Sequence, residues 1–518
     1  MGNKLVLPDQ IMEEKCLRTL ILVYSPRTKI IEDNVLRKLS HLRVLVLSGT
    51  SIKRIPDCIG DLLQLRYLDL HETNIYEIPE SIGRLANLQT LNLWNCQYLH
   101  RLPKSITMLH SLRCLDIENV PLTHVPKGIG KLMDLNHLEG FVVGHNDPTN
   151  KLHEKGCDLK ELQALSKLRC LTIYRLERTL TGVSEEEEEE NKEDNRDKDE
   201  GQEVTWNEKE FQAVEKVCDE LSPPSSLEDL IFQRFPGRQF PGWLMSTSLD
   251  KSFPNLAYLR IWYLKSCTEL PPLGMLPLLK HLDITGGEAI KTIGPEFLGR
   301  NLPGASAFPK LEYLEFYGMP NWEEWSVWGM EENGQGPHLK LFPNLKTCKI
   351  IDCPKLRALP EGLSHATNLK ELYLERTHDL REITNLRLNY KLEVKDNTML
   401  NRISNLSMKY LKVEDCPNLE YVENLDRLQQ LVLICPRQMK QLPQWLSTLI
   451  QQRQSIPSAQ WSFRKLELQC NIVLLKSCLE GNENWHIIQQ IPDVIIQTYS
   501  RKKYIRYSKH PPMYDAKV

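Results

Sequence analysis

Hydrophobic and polar positions alternate in short runs along the first part of the chain, and the runs recur at a regular interval. The runs LRVLVL, LRYLDL, LQTLNL, LRCLDI and LNHLEG start at residues 42, 65, 88, 112 and 135. The spacings are therefore 23, 23, 24 and 23 residues. Alternation with a period of two predicts a short β-strand whose leucines face inward. Because so short a strand is not stable alone, the repetition predicts a stack of parallel strands.

The second half of each repeat predicts the return path of the chain. The phrases IPESIGRL and LPKSITML place a Pro before a short apolar segment, which indicates a helical or 3₁₀ turn. We expect the inward leucines of the strands to be nearly fully buried: Leu68, Leu70, Leu91 and Leu93. Tyr67 and Asp69, which alternate with two of these leucines, should be more exposed.

The ninth position of each repeat, counted from the first leucine, has a characteristic residue. In leucine-rich repeats it is usually Asn or Cys, whose side chain bonds backbone groups left unpaired where the strand ends. The residues found there are Thr50, Thr73, Cys96, Cys353, Thr377, Asn397 and Cys416. We therefore interpret Cys96 as a packed structural residue and not as a reactive thiol or a ligand.

The pattern divides the chain into five segments and predicts an α/β solenoid. The segments are an N-terminal lead (1–16), a first repeat block (17–183), an acidic insertion (184–205), a second repeat block (206–470) and a C-terminal cap (471–518). The fold expected is a leucine-rich-repeat horseshoe of about 17 units, with a parallel β-ribbon on its concave side. Short helices, 3₁₀ turns or irregular chain should form the convex side.

The acidic insertion interrupts the repeats. Residues 184–203 contain 12 acidic and 3 basic residues, so their net charge is −9 while that of the whole chain is −3. Such a segment cannot bury enough apolar area to fold and is predicted to be a disordered loop. The alternative is a clamp that masks a basic surface of the same molecule.

The following segment, 206–224, has an apolar stripe at helical spacing and is predicted to be a helix that ends at Pro223.

Cysteine usage and missing motifs narrow the class of protein. Fourteen cysteines are spread through the chain without a C-x-x-C pair, which indicates reduced thiols in the cytosol or the nucleus; the alternative, a secreted repeat protein, would need a signal segment that the sequence does not show. The basic run RKKYIR (501–506) is a weak candidate nuclear address. The sequence has no P-loop, no G-x-G-x-x-G, no H-E-x-x-H and no G-x-S-x-G. We therefore expect no enzyme activity, no cofactor, no metal site, and no nucleic-acid or membrane partner.

Binding is the remaining function class, and the alternation of the strands indicates where it would occur. Positions between the inward leucines face outward along the ribbon, and aromatic and Arg side chains are enriched at interface hot spots. The candidate partner-binding residues are Tyr67, Trp94, Tyr258, Arg260, Trp262, Tyr263, Tyr313, Tyr317, Tyr373 and Arg376. The competing interpretation is strand propensity, because aromatic residues suit strands anyway.

Several phrases resemble one family. The repeats from residue 42 are similar to the opening repeats of plant NLR disease-resistance proteins of the coiled-coil, NB-ARC, leucine-rich-repeat class. FPGRQFPGWL (235–244), MPNWEEW (319–325) and FPNLKTCKIIDCPKLRALP (342–360) resemble phrases in the later repeats of that class. The motifs of the NB-ARC nucleotide switch are absent from this sequence.

The resemblance implies a protein–protein interaction module. In that family the repeats recognise a pathogen effector or a guarded host protein and restrain the nucleotide switch. Expected partners are therefore an effector, a guarded host protein or the NB-ARC domain of another receptor. The alternative function is a general intracellular repeat scaffold that regulates a signalling enzyme such as a kinase or a small GTPase.

Overall fold

A computed structural model describes residues 16–26, 28–142, 157, 159–174, 208–221, 223–299, 306–326, 340–425, 427–451 and 462–518. The acidic insertion predicted at 184–205 lies outside these residues, so its boundaries stay a prediction. Backbone contacts divide the chain into two units, Met1–Tyr263 and Leu264–Val518, which are described separately below.

The first unit is built on a ribbon of short parallel strands. Each strand pairs in parallel with the next one along the chain. The strands are β1 (Thr19–Ile21), β2 (Val44–Val46), β3 (Tyr67–Asp69), β4 (Thr90–Asn92), β5 (Cys114–Asp116), β6 (His137–Val142), β7 (Cys170–Tyr174), β8 (Asp229–Gln233) and β9 (Tyr258–Trp262).

Short helices return the chain from one strand to the next. A Pro precedes three of the 3₁₀ helices with an extended backbone, as the repeated Ile-Pro and Leu-Pro phrases predicted. The 3₁₀ helices are Asp57–Asp61, Glu80–Arg84, Lys104–Met108, Ile129–Lys131 and Leu159–Ala164. The α-helices are α1 (Asp33–Lys38), α2 (Glu208–Glu220) and α3 (Leu249–Ser252). Helix α2 confirms the helix predicted over 206–224, and its side chains Phe211, Val214 and Cys218 are buried.

The second unit repeats this design and adds small side sheets. Its strands are β10 (His281–Thr285), β11 (Thr292–Ile293), β12 (Ser306–Ala307), β13 (Tyr313–Tyr317), β14 (Glu324–Trp325), β15 (Lys340–Leu341), β16 (Thr347–Ile351), β17 (Glu371–Glu375), β18 (Glu382–Thr384), β19 (Lys391–Lys395), β20 (Arg402–Ser404), β21 (Tyr410–Glu414), β22 (Tyr421–Glu423), β23 (Gln430–Ile434), β24 (Lys465–Cys470), β25 (Asp493–Thr498), β26 (Tyr504–Lys509) and β27 (Pro512–Lys517). The 3₁₀ helices are Leu273–Met275, Pro295–Leu298 and Glu361–His365. The α-helices are α4 (Gln444–Gln451), α5 (Ile472–Ser477) and α6 (Trp485–Ile488).

The second unit contains a main parallel ribbon and smaller parallel side sheets. The main ribbon runs in the order β10, β13, β16, β17, β19, β21, β23, β24 and β25. A side sheet pairs β18 with β20 and β20 with β22. The last two strands turn antiparallel, β26 on β25 and β27 on β26, which ends the parallel stack.

Leucines and aromatic rings form the core of each unit. Leu68, Leu70, Leu91 and Leu93 are fully buried, which confirms the predicted inward face. In the second unit the core includes a group of aromatic rings with neighbouring centroids 5.0–6.4 Å apart. Its members are Phe297, Phe308, Phe316, Trp322, Trp325 and Phe342. The phrases MPNWEEW and FPNL therefore supply core side chains.

The ninth position of the repeat has the predicted structural role. Cys96, Thr377 and Asn397 are fully buried there. The Asn397 Oδ1 atom accepts hydrogen bonds from the backbone N and the hydroxyl of Thr377, both at 2.6 Å, and Asn397 Nδ2 donates to the Leu374 carbonyl at 3.1 Å. The Cys96 Sγ donates to the Leu70 carbonyl at 3.1 Å. Burial raises the pKa of the Cys96 thiol, so a structural role fits this residue.

Candidate functional site

The strand alternation that buries the leucines also fixes the outward face of the ribbon. In β9 the side chains of Leu259 and Ile261 are fully buried, whereas Tyr258, Arg260 and Trp262 lie on the opposite face. The same alternation holds in β13, where Leu314 and Phe316 are buried. The predicted binding residues therefore lie on the outward face, or just beyond its strand ends.

The surroundings of Tyr67 show that one expectation, the exposure of Asp69, is wrong. Asp69 is only 6% exposed, so the prediction that it would be more exposed is wrong. It is buried because its carboxylate has three local partners: the Tyr67 hydroxyl donates to it at 3.3 Å, the His71 backbone N donates at 3.1 Å, and His71 Nδ1 lies 2.7 Å away. Tyr67 itself is half-buried, and burial together with Asp69 raises the pKa of its phenol.

Trp94 lies just beyond β4 and is half-buried. Its backbone N donates to Asn92 Oδ1 at 3.0 Å, and its ring centroid is 6.1 Å from that of His71. Tyr67, His71 and Trp94 are thus brought together on consecutive repeats of the first unit. The strand alternation predicted where Tyr67 and Trp94 lie. The contacts of His71 with Asp69 and Trp94 depend on the orientation of its side chain, which the sequence pattern does not specify.

The second group, at β9, contains the most exposed of the predicted residues. Tyr258 is 42% and Tyr263 is 52% exposed, while Arg260 and Trp262 are half-buried. The Arg260 guanidinium lies 3.4 Å from Asp229 on β8, and the Arg234 guanidinium lies 5.8 Å from the centre of the Tyr263 ring. We call Tyr258, Arg260, Trp262 and Tyr263 the β9 cluster. Its one charged member, Arg260, is paired with Asp229, while its two tyrosines present apolar area to solvent.

The other predicted residues form part of a regular array on the second unit. Tyr313 stacks on His281 with centroids 4.3 Å apart, and its hydroxyl donates to Glu315. Burial and this carboxylate raise the pKa of Tyr313. Lys349 Nζ lies 5.1 Å from the Tyr313 ring centre and 5.7 Å from that of Tyr373. Tyr317, at the end of β13, is 42% exposed.

Tyr373 and Arg376 are held by ionic neighbours. Lys391 Nζ lies 3.2 Å from the Tyr373 hydroxyl and 2.8 Å from Glu393. Arg376 contacts both carboxylate oxygens of Asp352, and this pairing holds the pKa of Asp352 below its usual value. Such contacts hold Tyr373 and Arg376 in fixed positions, so a partner would meet a preorganised surface.

A group of three carboxylates in the first unit was missed by the sequence reasoning. Oxygens of Asp116, Glu118 and Glu139 lie within 4.8 Å of one another, and all three side chains are half-buried. The Tyr174 hydroxyl donates to Glu118 at 2.5 Å. Burial, with Glu139 and Glu118 nearby, raises the pKa of Asp116 to about 6. Asp116 and Glu139 occupy the same position of consecutive repeats, LRCLDI and LNHLEG. This shared position is the feature of the sequence from which their proximity could have been predicted.

The comparisons with known proteins agree with the repeat fold. A family model described as a leucine-rich repeat region matches residues 16–327. The chain therefore belongs to the leucine-rich-repeat family.

The more particular likeness is to plant disease-resistance proteins. The chain is 36% identical over 397 residues to disease resistance protein RGA2 of Solanum bulbocastanum, covering 74% of this chain and 36% of the relative. It is 35% identical over 376 residues to disease resistance protein At3g14460 of Arabidopsis thaliana, covering 68% of this chain and 25% of the relative. The chain thus spans between a quarter and about a third of the length of these relatives.

A solved bacterial structure is also similar. The functional domain of InlJ from Listeria monocytogenes aligns with a TM-score of 0.42 at 11% identity, covering 96% of this chain and 89% of that one. Among the described residues, no helix has the length and apolar character needed to cross a bilayer.

Proposed function

We propose that this chain is the protein-recognition module of a plant intracellular immune receptor, and that it binds a pathogen effector or a guarded host protein in the defence response. The β9 cluster is the observation that carries the proposal. Tyr258 and Tyr263 are large aromatic side chains that remain 42% and 52% exposed beside a half-buried Trp262 and Arg260. Exposed aromatic area next to an arginine is typical of interface hot spots.

The relatives support the biological side of the proposal. Their names assign them to disease resistance, and this chain matches them over most of its own length. A partner seated on the outward face could be the effector, the guarded host protein or the NB-ARC domain of another receptor. We place this activity in the cytoplasm.

Binding and cell-death assays test the proposal together. The full chain is expressed in leaves beside a full-length relative such as RGA2, and the cell-death response is scored with and without the matching pathogen. We expect the chain to raise or lower that response, and Trp262→Ala and Tyr263→Ala to remove the effect. Tyr98→Ala is the matched control, because Tyr98 is 56% exposed but lies outside the strands of the first unit.

Two outcomes would overturn the proposal. One is an unchanged cell-death response together with stable binding to a kinase or a small GTPase, which would favour the general scaffold. The other is that Trp262→Ala and Tyr263→Ala change the cell-death response as strongly as the wild-type chain does, while Tyr98→Ala reduces the effect. Leu259→Ala separates folding from binding, since it should destabilise the repeat by about 2–5 kcal/mol whatever the partner.

A further inference from the structure

A polar groove lies in the second unit, beside the side sheet formed by β18, β20 and β22. Its volume is about 510 Å³, which falls within the range typical of small-molecule sites. The polar residues that matter for the argument are Thr367, Asn385, Arg387, Asn405, Ser407 and Arg427. None of them belongs to the outward face of the main ribbon, so the groove is separate from the candidate binding surface.

A ladder of three asparagine side chains runs beside the groove, and two of them, Asn385 and Asn405, line it. Asn385, Asn405 and Asn424 each follow a strand of the side sheet, and each has a φ between 56° and 57°. Asn405 Nδ2 donates to Asn385 Oδ1 at 3.0 Å, and Asn424 Nδ2 donates to Asn405 Oδ1 at 2.9 Å. The sequence marks the ladder with the phrases ITNL, ISNL and VENL, which occur once in each of three consecutive repeats.

The direction of the ladder leaves hydrogen-bond donors at its end. Asn385, which lines the groove, accepts through its oxygen, and its amide Nδ2 has no protein partner among the described residues. The hydroxyl of Ser407 also lines the groove and makes no hydrogen bond within the described chain. An amide and a hydroxyl that line one groove can each donate to oxygen atoms of a bound ligand.

Two arginines give the groove its charge. Arg387 and Arg427 are exposed, and neither forms an ion pair with any residue that the structure describes. Other arginines of the second unit are paired: Arg402 contacts Glu423 at 2.8 Å, and Arg376 contacts Asp352. The described lining of the groove contains no carboxylate. The groove therefore has an excess of positive charge and of donors.

We propose that this groove binds a small phosphate-bearing ligand, with the guanidinium groups of Arg387 and Arg427 on the phosphate oxygens. Guanidinium groups suit phosphate because their planar donors form two parallel hydrogen bonds with it. Asn385 and Ser407 would donate to the oxygens that remain. The polar lining disfavours an apolar ligand of the same size. The phosphate could belong to a soluble metabolite or to a lipid headgroup, which share this chemistry.

Calorimetric titration of the full chain with sodium pyrophosphate in low-salt buffer tests the proposal. We expect saturable binding by the wild type, weakened about tenfold or more by Arg387→Ala or Arg427→Ala, because each removes a charge-assisted contact. Arg387→Lys should recover only part of the affinity, since lysine keeps the charge but loses the paired donors. Arg381→Ala is the matched control, an exposed arginine of the same unit outside the groove, and should bind as wild type does.

A second assay distinguishes the two sources of phosphate. Wild type and the Arg387→Ala, Arg427→Ala double variant are sedimented with phosphatidylcholine vesicles, with and without phosphatidylinositol phosphates. A lipid headgroup is indicated if the wild type, but not the double variant, co-sediments with the vesicles that contain phosphatidylinositol phosphates. A soluble ligand is indicated if the wild type binds pyrophosphate but does not co-sediment with these vesicles. The proposal is wrong if the wild type binds neither probe, or if the double variant, with an unchanged thermal midpoint, binds as well as the wild type to whichever probe the wild type binds.

Discussion

Asp116 and Glu139 lie directly opposite each other on neighbouring parallel strands, β5 and β6. Two carboxylates in this relation repel each other, and like charges directly opposite on a sheet destabilise it. Glu118 adds a third carboxylate to the group. Burial is the largest cause of the raised pKa of Asp116, about 6, and repulsion by Glu139 and Glu118 adds to it. Burial, followed by repulsion from Glu118, also raises the pKa of Glu139.

Asp116→Asn should therefore stabilise the first unit, and by an amount that depends on pH. The pKa of Asp116 is about 6 in the folded chain, above its ordinary value, so the folded state binds the proton more tightly than the unfolded state. Ionised Asp116 costs stability, and this cost appears as the pH rises from about 4 to about 6. We expect a gain of about 1 kcal/mol at pH 7.5 and none near pH 4.

Urea denaturation of both proteins at the two pH values measures this difference. Asn keeps the acceptor oxygen that Asp116 offers to the Glu118 backbone N at 3.0 Å, while the substitution removes the charge and replaces the second oxygen by an amide donor. Asp57→Asn, at an exposed position of the same unit, is the control. A loss of stability at pH 7.5 would contradict the claim that ionised Asp116 destabilises the first unit.

Asn397→Ala should destabilise the second unit strongly. Removing the amide leaves the Thr377 backbone N and the Leu374 carbonyl without their partners in a fully buried site. Each unsatisfied buried group costs about 1–3 kcal/mol, so we expect a loss of about 2–5 kcal/mol. Thermal and urea unfolding compare it with Thr398→Ala, a neighbouring exposed position that should change stability by less than about 0.5 kcal/mol. Equal effects of the two substitutions would contradict the structural role of the Asn397 side chain.

Gly140→Ala should disrupt the irregularity in β6. Gly140 has a φ of 87°, and an added Cβ would lie 2.5 Å from backbone atoms of Ile117 and Glu118. The register between β6 and β7 shifts at this point, between Leu138 and Phe141. Gly481 is the matched control, because its φ is 84° but its surroundings are open. We expect Gly481→Ala to cost about 1 kcal/mol from backbone strain, and Gly140→Ala clearly more, measured by urea unfolding.

The sequence predicted the parts of this molecule that depend on local alternation. Leu68 and Leu91 are buried because every second residue of a strand faces the same side, and the ninth-position residues follow from the same repeat. The burial of Asp69 was not predictable in this way, since it depends on the rotamers of Tyr67 and His71. The meeting of Asp116 with Glu139 required the register between strands as well as the pattern within them.

The fourteen cysteines should differ sharply in their reaction with iodoacetamide. Cys16 alone is exposed, while Cys114 and Cys170 are half-buried and the others are buried, none of them in a disulfide. Burial raises the pKa of Cys114 to about 11 and that of Cys170 to about 12. Since the thiolate is the reactive form, a thiol of pKa about 11 is ionised in roughly one molecule in a thousand at pH 8.

Mass spectrometry of the native protein after brief alkylation at pH 8 should therefore show one adduct, at Cys16. The same treatment in urea should modify all fourteen cysteines, and a Cys16→Ser variant should remain unmodified in the native state. Rapid native modification of Cys96 would contradict its structural role, because that thiol is fully buried and donates to the Leu70 carbonyl.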